Sequence, residues 1–135
     1  MSLPAWIWIA SGGAVGSVAR FYMGAWVAAR LAAAAPGSAL AGPAGTLAVN
    51  VVGSFVLGAI AALALSKPTV ITPEMRLLLA VGFCGGFTTF STFTYEAWTL
   101  LERGQFGEAV LYMGASNLLG LVAVVGGIYV ARLMG

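Results

Sequence analysis

Residues Gly82 to Glu96 read GFCGGFTTFSTFTYE. The stretch begins inside an apolar run, yet it holds three glycines, five Ser/Thr hydroxyls and four phenylalanines before its one acid. In a bilayer, non-helical backbone is tolerated only where it is buried in protein or lines a cavity. Gly85-Gly86 followed by Thr88-Thr89 is a place where a membrane helix can unwind, glycine being permissive and threonine a poor helix former. Such a break leaves carbonyls free at the end of its first half and N–H groups free at the start of its second. One end suits a cation, the other an anion. The same spacing is also compatible with an unbroken helix whose glycines and threonines only pack.

The rest of the chain sets the context for that stretch. Of 135 residues, 61% are hydrophobic and 7% charged, and the mean hydropathy is +1.00; soluble domains carry about 25% charged residues. A bilayer crossing takes about 20 apolar residues, and four runs supply them, at 5–35, 43–66, 75–101 and 106–133. The expectation is an all-α membrane protein, one domain of four transmembrane helices, with the third broken near mid-membrane. The opening MSLPAWIWIA lacks a basic leader region, and its apolar run continues past the length of a cleavable one, so the first span is expected to stay in the mature chain. There is no His and no Asp, and the single Cys84 can form neither an internal disulfide nor a Cys/His metal cluster. An enzyme is not expected. Ten charges with a net of +2 form no basic patch, which excludes nucleic acid as a partner.

Six of those charges, Lys67, Glu74, Arg76, Glu102, Arg103 and Glu108, lie in or beside the linkers, while Arg30 and Arg132 lie near span ends and can snorkel. Arg20 and Glu96 remain as deep charges. A charge at the centre of a membrane helix costs at least about 2.5 kcal/mol, so Arg20 is expected in a water-filled vestibule, the alternative being a backbone carbonyl partner or snorkelling. Glu96, within about two turns of Glu102, reads as an interfacial structural residue.

Helical spacing sorts the side chains after the break. Phe87, Phe90 and Phe93 form a stripe, and Thr88, Ser91, Thr92 and Tyr95 fall on neighbouring faces. Such a stripe can be mere packing, but an aromatic ring has a positive edge, so phenylalanines presented edge-on can contact an anion while hydroxyls replace part of its hydration. In the second run Thr46 and Asn50 share a face, and Asn50 brings an amide donor to membrane depth; the competing role is an interhelical hydrogen bond. In the fourth run Tyr112 and Ser116 form another polar pair, with Asn117 beside them.

Nineteen glycines, at spacings such as Gly12–Gly16, Gly82–Gly86 and Ser54–Gly58, suit close helix approach. Four helices barely enclose a conduit, so a homo-oligomer is expected. With an even number of spans, Lys67, Arg76 and Arg132 face one side and Arg30 and Arg103 the other. That bias is too weak to set one orientation, which permits an antiparallel dimer.

GTLAVNVVG (45–53) and GFCGGFTTFSTFTYE (82–96) resemble the signatures of the Fluc/CrcB fluoride channels, and the resemblance covers all four runs, including Arg20 in GSVARF. It implies passive, selective fluoride export across the cytoplasmic membrane by a dual-topology homodimer, antiparallel in the lipid bilayer. Two fluoride pores and a structural sodium ion at the dimer centre come with it. Under this resemblance Asn50, with Thr46 one turn before it, is the pore asparagine, Phe90 and Phe93 are the paired pore phenylalanines, and Arg20 is the vestibule arginine. Gly85 and Thr88 hold sodium through backbone carbonyls, and Ser91, Tyr112 and Ser116 lie near the ion path. The chain departs from some members at Gly120 and Val124, where they carry hydroxyls. Two rival classes remain: a small multidrug-type, proton-coupled cation exporter, for which Glu96 is the one suitable acid, and a non-transporting assembly subunit, which would leave Arg20 and Asn50 without a role.

Overall fold

The computed structural model describes residues 3–134, and among these all regular structure is helical. Helix α1 spans Ala5–Ala34 and α2 spans Ala41–Ser66. The third stretch, Pro73–Glu102, divides into α3 (residues 73–87) and α4 (Phe90–Glu102), and α5 spans Phe106–Leu133. Ala41–Ser66, Pro73–Glu102 and Phe106–Leu133 are each long and apolar enough to cross a membrane. The first helix is as long, but Ser11, Ser17, Arg20, Arg30 and its glycines dilute its apolar character.

Local chemistry sets the helix ends. At Gly37 the backbone takes φ +81° between α1 and α2, a left-handed conformation suited to glycine. Thr72 caps α3, accepting a hydrogen bond from the Met75 N–H at 3.3 Å, with Pro73 at the first helical position. The α4 C-terminus closes as a Schellman turn: Gly104 has φ +72°, and the Gly104 and Gln105 N–H groups donate back to Leu101 and Leu100 at 3.0 and 2.9 Å.

Inside α3, Leu77–Cys84 winds as a π-helix, wider than an α-turn, before Gly85–Phe87 returns to α geometry. This wide segment lies directly on α1. A Cβ at Gly12 would collide with the Leu78 carbonyl and one at Gly16 with the Phe83 carbonyl, while one at Gly82 would sit 2.7 Å from the Ile9 oxygen. The two backbones touch because a glycine, without a side chain, stands on one side of each contact. Helices α2 and α5 meet in the same manner, Gly58 against the Val124 carbonyl and Gly127 against the Phe55 carbonyl.

Many large apolar side chains, Phe21, Trp26, Phe90, Trp98 and Val122 among them, point outward, and glycines and alanines make up much of the interior beside a few larger side chains. That arrangement suits an apolar solvent, in which close backbone packing rather than water exclusion holds helices together. Two small clusters complete the interior: Ala97, Leu100, Ala109 and Tyr112 between α4 and α5, and Ile60, Ile71 and Cys84 near the α2–α3 connection.

Candidate functional site

Thr88 and Thr89 separate α3 from α4, with φ/ψ of −83°/159° and −150°/117°. Of the Gly85-Gly86 and Thr88-Thr89 pairs at which unwinding is expected, only the threonines leave the helix; both glycines are helical. Gly86 is there for packing, since a Cβ on it would sit 2.5 Å from the Gly13 oxygen. The two extended residues are β-branched, which disfavours helix, and a neighbouring helix supplies their hydrogen bonds.

Every buried backbone group at such a site needs a partner. The Thr88 N–H still donates to the Cys84 carbonyl at 2.9 Å, and its hydroxyl donates to the same oxygen at 2.9 Å. Asn50 on α2 then takes over. Its Oδ1 accepts from the Thr89 N–H at 2.8 Å, and its Nδ2 donates to the Thr89 carbonyl at 3.1 Å. Thr89 Oγ1 caps α4 by accepting from the Thr92 N–H at 3.3 Å. In an unbroken helix the Thr89 and Thr92 N–H groups would serve the carbonyls of Gly85 and Thr88. Their diversion frees those two oxygens. Arg20 Nη1 donates to the Thr88 carbonyl at 3.3 Å, and a carbonyl has a second lone pair for another partner. A Cβ at Gly85 would meet nothing within 4 Å, so that face is open. Hard monovalent cations take oxygen donors of this kind, and the residues fit a main-chain cation site; among the described residues no cluster of acids, His or Cys offers another.

The clasp between Asn50 and Thr89 separates two cavities. One, of about 240 Å³, is lined by Asn50, Gly53, Ser54, Thr88, Thr89 and Phe90. The other, of about 380 Å³, is lined by Ser17, Arg20, Thr46, Val49, Thr89 and Thr92 among others. Arg20 is thus both beside a cavity and bonded to a carbonyl, the two roles its sequence position left open. Phe90 and Phe93 stand 5.7 Å apart with rings tilted by 41°, and Phe93 lies 5.2 Å from the Tyr112 ring. Phe90 is 77% exposed on the single chain, whereas Phe93 packs against the α4–α5 cluster.

Toward the far end of α4, Thr46 Oγ1 donates to Glu96 Oε1 at 3.0 Å and the Tyr112 hydroxyl donates to Glu96 Oε2 at 2.6 Å. Glu96 therefore ties α2, α4 and α5 together through neutral hydroxyls. The sequence marks Glu96 as a deep charge with a structural role; what it does not show is the pair of hydroxyl partners on two other helices. The Ser116 hydroxyl is buried with no hydrogen-bond partner among the described residues. Ser91, by contrast, is exposed, 3.5 Å from Thr89 Oγ1, and Asn117 turns back on its own helix to the Met113 carbonyl at 2.8 Å. Thr46, Glu96, Tyr112 and Phe93 form one connected set, while Asn50 holds the interruption, with Phe90 and Arg20 flanking it.

A family profile described as "CrcB-like protein, Camphor Resistance (CrcB)" matches residues 7–128. The chain belongs to the CrcB family. Curated relatives of this CrcB member carry the name "Fluoride-specific ion channel FluC". The protein of Rhizobium johnstonii is 49% identical over 126 residues, covering 93% of this chain and 94% of the relative. That of Geobacter sulfurreducens is 48% identical over 124 residues, 92% and 94% of the two chains. That of Hahella chejuensis is 42% identical over 137 residues, 99% of each. The CrcB match runs from α1 into α5 and includes Arg20, Asn50 and the whole of 82–96.

Proposed function

We propose that this CrcB family member is a passive fluoride channel, a multi-pass protein of the cytoplasmic membrane that lets fluoride out of the cell. The reading is carried by the 49% identity, across 93% of the chain, with a protein named a fluoride-specific ion channel. Geometry supports it. Fluoride entering as neutral HF from acid surroundings ionises inside, so an outward gradient exists and no coupled energy source is required. The path needs donors without a trapping charge. Arg20, beside the larger cavity, raises the local anion concentration. Asn50 keeps one Nδ2 hydrogen beyond its bond to Thr89. Phe90 and Phe93 have electropositive ring edges to offer, and the Ser91 and Ser116 hydroxyls can replace lost hydration; Thr46 and Tyr112, also assigned to the path, reach it only by releasing the protons they now give to Glu96.

The working unit in this proposal is an antiparallel, dual-topology homodimer in which α3 and α4 are the two halves of one broken membrane helix. The weak charge bias and the outward-facing Phe90 support a partner at that face. The carbonyls of Gly85 and Thr88 hold a structural sodium ion at the dimer centre; the ion supplies positive charge for oxygens the helix no longer satisfies. Glu96, with its two oxygens engaged by Thr46 and Tyr112, is poorly placed as the substrate-facing acid of a proton-coupled cation exporter.

Fluoride efflux from liposomes, followed with an ion-selective electrode in the presence of a potassium ionophore, tests the proposal. Rapid fluoride release with scarcely any chloride release is expected. No fluoride release, or equal release of both anions, would overturn it.

A further inference from the structure

Several hydroxyls here bond to backbone one turn back in their own segment. Ser66 donates to the Ala62 carbonyl at 3.1 Å, Thr88 to Cys84 at 2.9 Å, Thr94 to Phe90 at 3.2 Å and Thr99 to Tyr95 at 2.9 Å, each four residues back. This is the usual way to satisfy Ser or Thr in a helix without water. Ser54 departs from it. Among the described residues no side-chain hydrogen bond engages its hydroxyl, and it lines the 240 Å³ cavity with Asn50, Thr88, Thr89 and Phe90. Four residues after Asn50, it lies on the same face of α2.

On α5 the residue beside Ser54 is Gly120. A Cβ added there would lie 3.8 Å from Ser54 Oγ, in ordinary contact. One turn earlier on α5 is Ser116, whose hydroxyl is likewise buried without a partner. One turn further along α2 the seam closes, with Gly58 against the Val124 carbonyl. An unengaged hydroxyl of α2, in a cavity lined by α2 and residues 88–90, thus lies beside a position on α5 that has no side chain.

We infer that Ser54 is an ion-coordinating residue, contributing from α2 the hydroxyl donor that Gly120 does not provide from α5. The inference rests on the proposed fluoride path and adds a ligand to it. A small, strongly hydrated anion loses water in a narrow slot and takes O–H and N–H donors in exchange. The Ser54 hydroxyl and the remaining Nδ2 hydrogen of Asn50 are both available for that exchange. Gly120 and Val124 then do not interrupt the polar track, which passes from one helix to the other.

The test is a hydroxyl transfer. Fluoride efflux is measured for full-length wild type, Ser54→Ala, Ser54→Cys and the double variant Ser54→Ala/Gly120→Ser, with melting temperature and elution volume in detergent recorded for each. A hydrogen bond to a charged group is worth about 1.5–3 kcal/mol, so Ser54→Ala is expected to slow efflux about tenfold or more while melting like wild type. Ser54→Cys, with a weak S–H donor of similar size, is expected to be slowed as well, and it decides the matter should the alanine variant fail to assemble. Gly120→Ser in the alanine background is expected to recover most of the rate. Wild-type efflux in both Ser54→Ala and Ser54→Cys, or an assembled double variant as slow as Ser54→Ala, would reduce Ser54 to a packing residue. Absence of fluoride efflux from wild type strikes the channel reading itself.

Discussion

Asn50 holds both backbone groups of Thr89, accepting from its N–H at 2.8 Å and donating to its carbonyl at 3.1 Å. A single amide side chain thereby takes the place of the partner that a neighbouring strand would provide, and the extended residues survive at membrane depth because of it. Asn50→Asp keeps the acceptor but turns the donor into a second acceptor facing a carbonyl. Fluoride flux is expected to fall at least about tenfold, at alkaline as well as neutral pH, because an ionised carboxylate offers acceptors only. Hydrogen exchange at the Thr89 amide should accelerate in the same variant. Full flux at alkaline pH would show that Asn50 neither faces the ion nor holds the interruption.

Phe90 and Phe93 differ in their surroundings, and their isoleucine variants should differ in stability but not in transport. Phe90 is largely exposed on the protomer, so Phe90→Ile should change its stability by no more than about 0.5 kcal/mol. Phe93 packs on Tyr112, and Phe93→Ile should cost about 1 kcal/mol from the lost aromatic pair. Both should sharply reduce fluoride flux with the dimer intact, as read by efflux and by crosslinking. Unchanged flux in both would leave the rings as packing alone.

The Glu96 carboxylate accepts from two hydroxyls on two other helices. Tyr112→Phe removes the shorter bond, 2.6 Å, and should destabilise the fold by about 1.5–3 kcal/mol, measured by thermal unfolding in detergent. Thr46→Val should cost less, its bond being 3.0 Å. In the double variant the two losses should be less than additive, because both hydroxyls serve one carboxylate. Strict additivity would mean that the two bonds act independently.

Gly85 and Gly86 are neighbours with opposite surroundings. Gly86→Ala places a methyl 2.5 Å from the Gly13 oxygen and should impair folding of the chain. A methyl on Gly85 meets nothing within 4 Å of its own protomer, so a bulky residue such as Gly85→Val should be damaging only through a partner subunit or a central cation. Its fold should persist while dimer formation and its dependence on sodium weaken, as followed by size-exclusion chromatography in sodium against N-methylglucamine. Thr88→Ser, which keeps the carbonyl, should preserve the sodium dependence. A dimer indifferent to sodium in all forms would remove the cation from the account.

The near balance of Lys67, Arg76 and Arg132 against Arg30 and Arg103 permits insertion in two orientations. Single cysteines placed in the 35–40 linker of a Cys84→Ala variant should be labelled from both faces of the membrane. Labelling from one face alone would exclude the antiparallel arrangement.

The four apolar runs coincide with the helical stretches to within two residues, because length and hydropathy directly report what a bilayer-spanning helix requires. Arg20, Asn50 and the phenylalanines were recognisable as polar or aromatic departures from an apolar background. Their partners were not. Arg20 and Thr88 lie 68 residues apart, Asn50 and Thr89 39, and Thr46 and Glu96 50, and such pairings depend on how helices cross rather than on any local pattern. Ser54 carried a signal, its place one turn after Asn50, but among so many small residues it read as packing. The π-helical winding left no trace at all in LLLAVGFC.

That winding also bears on the exact length of the chain. A π-segment accommodates residues that an α-helix would place further round the axis, and here Leu77–Cys84 lies between the cap at Thr72 and the interruption at Thr88. Rewinding these eight residues as α-helix at unchanged length would add rotation approaching one residue's worth, about 100°. Gly86 would then turn away from Gly13, and the Thr89 backbone would turn away from Asn50. Winding and length therefore compensate within these eight positions: a residue lost there is absorbed by a return to α-helix, whereas one added or lost between Gly85 and Phe87 is a change of face for everything that follows.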